Sequence, residues 1–400
     1  MLRINKKLLL YLLLIFPFFE PGIVTVLSSL AMVSTMYDVW RLFTIIIAIV
    51  LWISKFRKLD GFLITIFLFY GWVCFVTIFN QVGLFSFFSQ CGSIIALCLL
   101  VDMCYRSGEM KVLLKAIIGL LTVYLAINAV TILIFEPQGG IVTDIESITM
   151  KKNNYFLGYD NQHVYYFLPY LAMSLFYDRT YQGKIKLKTI IMHIIVVWSV
   201  IACWSVDTVV AVAFFYTVLL VSKMGIVSKF INSYTIIITN AICFYMLVNV
   251  VMSKKLSVLL QIVLNKSLSF AREAIWTRYL VWVYRSPILG NGYVNTARRY
   301  SMAKASHAHN MYLDVFFVAG IVGLILFAVI IFLATNSGRK IVPREQMFII
   351  IGIFAYMVAF QATARTYCPS FFLMLAISYE LSIGSENSIK TVKIQGLQGL

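Results

Sequence analysis

The chain has 400 residues, of which 61% are hydrophobic and 12% are charged, and its net charge is +17. Soluble domains carry about 25% charged residues, so this composition, with a mean hydropathy of +0.90, excludes a soluble globular protein. The apolar runs have the length of membrane helices, which excludes a β-barrel. The positive charge does not indicate nucleic-acid binding, because most lysines and arginines lie in short clusters between apolar runs.

The apolar runs predict an all-α, polytopic membrane protein with about twelve transmembrane helices. The expected spans lie near residues 7–27, 38–54, 61–79, 90–105, 116–135, 161–177, 189–204, 207–222, 231–251, 311–334, 347–364 and 369–384. The first span follows a basic start, as in a signal peptide, but no small-residue cleavage site follows it. We therefore interpret it as a retained helix, although Pro17 and Pro21 interrupt it.

The basic loops predict that both termini are cytoplasmic, because short cytoplasmic loops are enriched in lysine and arginine. With an even number of spans and the N-terminus inside, the basic segments fall on the cytoplasmic side. These segments are residues 55–58, 106–115, 179–188, 223–229 and 339–344. We expect one membrane domain over residues 1–400.

The segment between the ninth and tenth spans, residues 252–310, departs from this rule. It carries nine lysines and arginines against one acid, Glu273, although the topology places it outside. An excess of cations there favours an anionic ligand. Helical spacing runs from Leu268 to Tyr284, and Ser286-Pro287 ends the helix, since the residue before proline avoids helical geometry. The glycine pair within residues 289–293 permits close approach to a ligand or to a neighbouring helix.

Four short motifs follow one another over residues 270–325. They are Ala271-Arg272-Glu273-x-x-Trp276, Ser286-Pro287-Ile288-Leu289-Gly290-x-Gly292-Tyr293, Ala308-His309-Asn310-x-Tyr312-Leu313-Asp314 and Ala319-Gly320-Ile321-Val322-Gly323-Leu324. Their order and spacing resemble those of the O-antigen ligase and O-antigen polymerase superfamily of bacterial cell-surface polysaccharide assembly. A weaker similarity covers residues 156–169. Many relatives carry a Ser-Arg turn between the seventh and eighth spans, whereas this chain has Ser205-Val206-Asp207-Thr208.

The resemblance implies a glycosyltransferase of the bacterial cytoplasmic (inner) membrane that acts outside on a glycan linked to undecaprenyl diphosphate. It implies polymerisation of repeat units into O-antigen or capsular polysaccharide, with inversion at the anomeric carbon. No metal or other cofactor is expected, and residues 252–310 contain no cluster of acidic residues that suits a metal. The expected partners are the lipid-linked glycan and membrane lipid, together with a flippase and chain-length regulator proteins.

Such a transfer needs fixed cations for the departing diphosphate and a base for the acceptor hydroxyl. Arginine binds phosphate oxygens bidentately and stays charged, so Arg272 and Arg278 are expected on the diphosphate. His309 matches the family's histidine before asparagine and is the expected residue that activates the acceptor hydroxyl. His307 is expected to assist, and the sequence leaves open which of the two histidines is catalytic.

Further residues are expected to bind substrate. They are His307, Asn310, Arg285, Arg298, Arg299, Asp160, Asn161 and Arg365. Asn310 is also a candidate helix cap, and Asp160 and Asn161 are equally suited to capping the sixth helix. Asp314 lies in an apolar helix, where a carboxylate needs a partner; a loop arginine and a catalytic histidine are both candidates. Arg365 could reach the site or anchor the chain at the interface, and Arg41 has the same ambiguity.

Two alternative functions stay open. An O-antigen ligase, which transfers the finished glycan to the lipid A core, would share the motifs and the chemistry; the short external loops favour the polymerase. A lipid-linked oligosaccharide flippase is the alternative from a different class. A transporter of this kind is expected to show related halves and charges near the membrane midplane, whereas here the cations gather in one external segment.

Overall fold

Long apolar helices make up most of the protein in a computed structural model. It describes residues 5–397, apart from 57, 81–84, 148–149, 223–230, 253–269, 337–344 and 365–366. Among these residues, five helices are long and apolar enough to cross a membrane: Ser28–Lys55, Gly61–Phe79, Phe87–Arg106, Met110–Gln138 and Met311–Thr335. Shorter apolar helices are Leu187–Cys203, Val206–Ser222, Ser233–Asn249, Met347–Ala359 and Pro369–Ile383. The prediction of an all-α, polytopic membrane protein is confirmed.

The helices follow the predicted apolar runs closely. In the first half they are α1 (Lys6–Ile15), α2 (Gly22–Val26), α3 (Ala31–Lys55), α4 (Gly61–Phe79), α5 (Phe85–Arg106), α6 (Met110–Phe135) and α7 (Val164–Gln182). In the second half they are α8 (Leu187–Cys203), α9 (Val206–Ser222), α10 (Ser233–Met252), α11 (Phe270–Arg285), α12 (Thr296–Ala303), α13 (Met311–Thr335), α14 (Met347–Ala359) and α15 (Pro369–Leu397). Helix α13 packs against α4 and α15, and α14 packs against α7 and α9.

The predicted first span is not one straight helix, which corrects the prediction for residues 7–27. Helix α1 ends at Ile15, and a 3-10 turn follows that contains Pro17. We call residues 16–26 the bent segment. Its Ile23 amide donates to the Phe156 carbonyl at 3.2 Å. A Cβ on Gly22 would lie 2.5 Å from the Gly158 Cα, so the close contact between these two backbones requires glycine.

The segment between the fifth and sixth predicted spans, residues 136–160, contains a small antiparallel sheet that was not predicted from the sequence. Its strands are β1 (Val142–Ser147), β2 (Met150–Tyr155) and β3 (Gly158–Tyr159), in the order β1-β2-β3. A 3-10 turn, Asp160–Gln162, follows and leads into α7. The sheet therefore places this turn at the beginning of α7.

Helix α11 is close to the predicted helix Leu268–Tyr284, and it ends at Arg285, before Ser286-Pro287. Trp276 and Tyr279 are fully buried on one of its faces. The Trp276 Nε1 donates to the Ala308 carbonyl at 2.7 Å, and the Tyr279 ring centroid lies 4.9 Å from that of Phe317. This face therefore fixes α11 against the beginning of α13.

Residues 289–293 form a glycine turn after α11, and this turn packs into a kink in α13. Gly320 has φ 64° and ψ −164°, outside helical geometry. The amides of Asn291 and Gly292 donate to the carbonyls of α13 residues 317 and 318 at 2.8 and 2.9 Å. A Cβ on Gly320 would collide with the Ile288 carbonyl. Of the two uses predicted for the glycine pair, the structure shows close approach to a neighbouring helix.

Candidate active site

A cavity of about 450 Å³ lies where the amino-terminal halves of α3, α5, α7, α13 and α15 meet the bent segment. Its volume falls in the range of about 300–1,000 Å³ typical of small-molecule sites. The charged and amide side chains in its walls are Glu20, Arg41, Gln90, Gln162, Arg299, His307 and Asp314. We call this end of the bundle the cavity end.

A buried ion pair forms part of the cavity wall. The Arg299 Nη1 lies 2.5 Å from the Asp314 Oδ1, and the two side chains are 7% and 4% exposed. Arg299 also donates through Nε to the Val294 carbonyl at 3.0 Å. Burial acts to lower the pKa of Arg299, but the Asp314 carboxylate, together with Tyr279 and Tyr367, outweighs burial, so the pKa is raised. Of the two partners predicted for Asp314, the structure shows a loop arginine, so Arg299 enters the wall with its charge compensated.

The two histidines of the loop lie side by side at the cavity. His307 is in the wall, and its ring centroid lies 4.1 Å from that of His309, with the rings nearly perpendicular. His309 has φ +52°, a left-handed conformation that is uncommon for residues other than glycine. The next residue, Asn310, accepts from the Leu313 amide at 3.0 Å and so caps α13. This cap and the turn at His309 fix the histidine beside His307.

The sequence left two roles open for Asn310, helix capping and substrate binding, and the structure shows the capping role. The side chain is fully buried. Its amide nitrogen donates to the Gln361 carbonyl at 3.0 Å, while its oxygen accepts from Leu313. Asn310 thus joins the beginning of α13 to the chain after α14. Its proposed contact with substrate stays a prediction.

Like His309, Arg272 is not part of the cavity wall; it contacts the chain after α14, which also contacts the beginning of α13. Its Nη2 donates to the Ala362 carbonyl at 3.2 Å, and the neighbouring Phe360 carbonyl accepts from the Met311 amide at 2.8 Å. One turn further along α11, Trp276 bonds to Ala308, beside His309. Helix α11 and the chain after α14 therefore bring the predicted arginine and histidine to one region.

An acidic residue faces Arg272 from the turn where many relatives carry Ser-Arg. Ser205 donates to Asp207 Oδ1 at 2.5 Å in this turn. Burial lowers the pKa of Arg272, and the Asp207 charge acts in the opposite direction. Arginine nevertheless stays protonated at neutral pH. The sequence departure at Asp207 thus places a carboxylate, and no second cation, near Arg272.

Asp160 and Asn161 lie in the turn before α7, at the same end of the bundle. The Asp160 Oδ1 accepts from the Asn161 amide at 2.7 Å, and the Asp160 carbonyl accepts from Thr208 at 3.4 Å. Neither residue is part of the cavity wall, but the following residue, Gln162, is. The turn therefore borders the cavity on the side of α9.

Three further predicted arginines, like Arg272, are not part of the cavity wall. Arg278 and Arg285 are exposed on the outer face of α11, and Arg298 is exposed on α12. The Arg285 guanidinium lies 4.6 Å from the Trp282 ring centroid. Arg365 lies outside the described residues, so no position is given for it. The roles of these four arginines stay predictions.

Glu20 and Arg41 are both in the cavity wall, although the sequence did not indicate Glu20 and left two roles open for Arg41. Their side chains form an ion pair, with Arg41 Nη2 lying 2.8 Å from Glu20 Oε2. One available signal was the acidic residue at the end of an apolar span, because such a carboxylate is costly without a partner. The identity of the partner depends on packing between the bent segment and α3.

Three carboxylates with spacing suitable for a metal occur at the opposite end of the described bundle. The oxygens of Asp60, Asp102 and Glu380 lie within 4.8 Å of one another. Arg106 lies among them, with its Nε 2.6 Å from Asp102 and its Nη2 3.9 Å from Asp60. The arginine supplies a compensating charge, so we interpret this cluster as structural. We call it the opposite-end cluster.

Residues 183–328 match the model of a family described as O-antigen ligase. The matched segment contains α11, the His307–His309 pair, Arg299 and Asp314. Glu20 and Arg41 lie outside it. No curated protein matches the chain. The family comprises membrane enzymes of glycosyltransferase type that act on lipid-linked glycans. The chain is therefore a multi-pass membrane protein in which residues 183–328 match the O-antigen ligase family, and this match confirms its resemblance to the superfamily of O-antigen ligases and polymerases.

Proposed function

We propose that this protein polymerises oligosaccharide repeat units linked to undecaprenyl diphosphate into O-antigen or capsular polysaccharide. The observation that carries the proposal is the position of the His307–His309 pair at a polar cavity, within the segment that matches the O-antigen ligase family. Arg272 contacts the chain after α14, and the same stretch of chain contacts Met311, two residues after His309. Together these residues supply the base and the cation that transfer from a diphosphate requires.

The transfer has one bond-forming and one bond-breaking event. The hydroxyl oxygen of the acceptor sugar attacks the anomeric carbon of the donor, and the bond from that carbon to the diphosphate oxygen breaks. His309 takes the hydroxyl proton. His307 orients the His309 ring, since the two ring centroids are 4.1 Å apart. The diphosphate leaves with its negative charge, which Arg272 stabilises. Backside attack inverts the anomeric carbon, and the step needs no metal.

Arg272 is better suited to the diphosphate than Arg41 or Arg299. Arg41 and Arg299 each form a short ion pair with a carboxylate. For Arg272, the hydrogen bond found among the described residues goes to a neutral carbonyl. A cation without a directly bound carboxylate attracts a phosphate oxygen more strongly. Arg278 is on the exposed face of the same helix and is the proposed second cation for the donor.

The cavity end is proposed to face outward from the bacterial inner membrane. Basic residues follow α5 and α7 at their carboxyl ends, in residues 106–115 and 179–188, while the cavity lies at their amino-terminal halves. Positive loops remain cytoplasmic, so this orientation places the cavity outside. There it would meet lipid-linked repeat units delivered by a flippase, and a chain-length regulator would act on the product.

The test is a transfer assay with purified protein in detergent. Wild type and the variants His309→Ala, Arg272→Ala and Arg179→Ala are incubated with a synthetic polyprenyl-diphosphate repeat unit and a chelator. Arg179 is exposed on the last turn of α7, away from the cavity, and serves as a matched control. We expect a glycan ladder from wild type and the control, and none from the other two variants. The absence of transfer under every condition, with the lipid bound equally by all four proteins, would favour the flippase.

The description of the matched family favours the ligase as the second candidate. The same assay separates the two enzymes when a lipid A core acceptor is added or omitted. A ladder without that acceptor supports the polymerase. A product that forms only with the lipid A core, and that carries one transferred glycan, would replace the polymerase with the ligase.

A further inference from the structure

One wall of the cavity comes from residues outside the family match, namely the bent segment and α3. Arg41 holds this wall together through all its nitrogens. It pairs with Glu20 and with Asp38 at 2.8 Å each, and its Nε donates to the Pro17 carbonyl at 3.2 Å. Ser34 donates to the other Glu20 oxygen at 2.9 Å. The wall therefore presents a carboxylate and a guanidinium in fixed positions.

The backbone of the bent segment is fixed as firmly as the ion pair. Tyr166 at the beginning of α7 donates through its hydroxyl to the Glu20 carbonyl at 2.6 Å. Gly22 lies directly against Gly158, with no room for a Cβ. The Arg41 and Glu20 side chains are 19% and 12% exposed. Glu20 thus borders the cavity while remaining largely shielded from solvent.

The charges of this wall do not suit a phosphate. Arg41 is compensated by Glu20 in the wall and by Asp38 outside it, and Arg299 is compensated by Asp314. What remains is a set of hydrogen-bonding groups with little net positive charge. Carboxylate oxygens accept hydrogen bonds, guanidinium groups donate them, and amides such as that of Gln162 do both. These groups suit a neutral ligand that is rich in hydroxyls.

Tyrosine rings complete the lining beside these polar groups, including Tyr165, Tyr293 and Tyr367. A sugar ring has hydroxyls at its edge and an apolar face of C–H groups. It therefore matches fixed carboxylate and amide groups set beside aromatic rings, which combine an apolar body with a polar end. A diphosphate needs a cation that is not bound directly to a carboxylate. Arg272, whose hydrogen bond among the described residues goes to the Ala362 carbonyl, lies outside this wall.

We propose that the bent segment, α3 and Gln90 of α5 form a sugar subsite, in which Glu20, Arg41 and Gln90 bind the hydroxyls of a neutral sugar of the lipid-linked repeat unit. The proposal rests on the proposed function, because the ligand is the glycan that is transferred. It assigns sugar selection to a wall outside the family match and assigns chemistry to the histidines within the match. Glu20 and Arg41 are specificity residues in this scheme.

The experiment compares Glu20→Gln with Asp38→Asn. Both substitutions remove one carboxylate partner of Arg41, but Asp38 has a side chain 60% exposed and is not part of the cavity wall. The substrates are a polyprenyl-diphosphate repeat unit and analogues that each lack one sugar hydroxyl. The measurements are KM and kcat for transfer, with saturation-transfer NMR of the free saccharide, which carries no lipid or diphosphate, as an independent measure of binding.

We expect Glu20→Gln to raise KM about tenfold or more, as for loss of a hydrogen bond to a charged group, with a smaller change in kcat. The variant should also lose discrimination against one of the analogues. Asp38→Asn should stay within about twofold of wild type. If Glu20→Gln fails to fold, Gln90→Leu provides the test, because Gln90 is exposed and borders the cavity; it should raise KM several-fold.

The outcomes separate the subsite from the proposed reaction. If wild type transfers glycan while Glu20→Gln and Gln90→Leu keep the wild-type KM and discrimination, the subsite is wrong and the function stands. If wild type does not transfer glycan, but the saccharide binds and Glu20→Gln abolishes that binding, the subsite stands and the proposed reaction is wrong. Equal losses in Glu20→Gln and Asp38→Asn would show a structural role for the wall and overturn the subsite.

Discussion

The buried charges at the two ends of the helix bundle are arranged in different ways. In the opposite-end cluster, Asp102 accepts from Trp52 and from Arg106, each at 2.6 Å, and the other carboxylates pack beside it. At the cavity end, the Arg41–Glu20 and Arg299–Asp314 pairs border an open volume of about 450 Å³. One group of charges is closed on itself, and the other surrounds space for a ligand.

This difference distinguishes charges that hold a fold together from charges that face a substrate. Burying an ion pair costs desolvation, and its net contribution to stability is often small. Groups that border a cavity keep part of their hydrogen-bonding capacity for a ligand, and functional sites tend to gather such residues. We therefore assign structure to the opposite-end cluster and binding to the cavity end, and four predictions test that assignment.

The largest expected effect is on activity. His309→Ala should lower kcat by about 10²–10⁴-fold, the usual contribution of a general base. Asp102→Asn, at the opposite end, should leave kcat near the wild-type value in the fraction of protein that is folded. Initial rates of glycan transfer measure both. A His309→Ala enzyme with more than a tenth of the wild-type rate would contradict the assignment of the base, and a full loss in His307→Ala alone would transfer the role to His307.

The next effect is on stability. Asp314→Ala leaves the buried Arg299 guanidinium without its carboxylate, so we expect a loss of about 3–5 kcal/mol in the free energy of unfolding. Asp102→Ala should cost less, about 1–3 kcal/mol, because Arg106 is 26% exposed and keeps Asp60 nearby. Unfolding of each variant in detergent measures the difference. Equal losses at the two ends would remove the contrast between the Arg299–Asp314 pair and the opposite-end cluster.

A smaller effect concerns the kink that lets the glycine turn reach α13. Gly320→Ala should cost at least about 1–3 kcal/mol, since the left-handed backbone is strained for alanine and the new methyl group meets Ile288. Gly71→Ala in α4 is the control, because a Cβ placed at residue 71 would have no atom within 4 Å apart from its chain neighbours and its own helix backbone. It should stabilise by about 0.5–1 kcal/mol, as alanine favours a helix. The unfolding midpoints should move in opposite directions.

The smallest expected effect is on the free energy of unfolding of two helix-cap variants. Asn310→Ala at α13 and Asp60→Ala at α4 each remove a side chain that accepts from the first turn, at 3.0 and 2.8 Å. Each should cost about 0.5–2 kcal/mol of stability. Only Asn310→Ala should also slow transfer, because the cap fixes His309. A slow phenotype from both variants would mean that the assay reports stability and not the site.

The fold was predictable where the signal is local. Helix α4 has the predicted bounds, and the apolar run of α13 differs from prediction by one residue, because membrane helices are marked by continuous hydropathy. The sheet at residues 142–159 was not predictable in this way. Strand β2 contains Lys151-Lys152-Asn153-Asn154, and these residues are uncommon in strands. Pro17 indicated the break after α1, but the sequence did not indicate the geometry of that break.

The candidate site could be proposed from the sequence where its residues lie close together in the chain. One stretch of the chain, residues 272–314, contains Arg272, His307, His309 and Asp314, so the spacing of its motifs indicated all four. Glu20 lies far from Tyr166 and from His307 in sequence, and only the packing of the bent segment against α3 and α7 places it in the cavity. Charge pairing also depends on packing, so sequence alone could not separate the compensated Arg299 from Arg272.

The most direct test of the central claim is a cryo-EM structure of the His309→Ala variant with a polyprenyl-diphosphate repeat unit bound. We predict a sugar ring in the cavity between Glu20 and His307, with the diphosphate within hydrogen-bond distance of Arg272. Glycan density at the opposite-end cluster, or an empty cavity with the lipid bound elsewhere in the bundle, would contradict the claim that this cavity is the site of transfer.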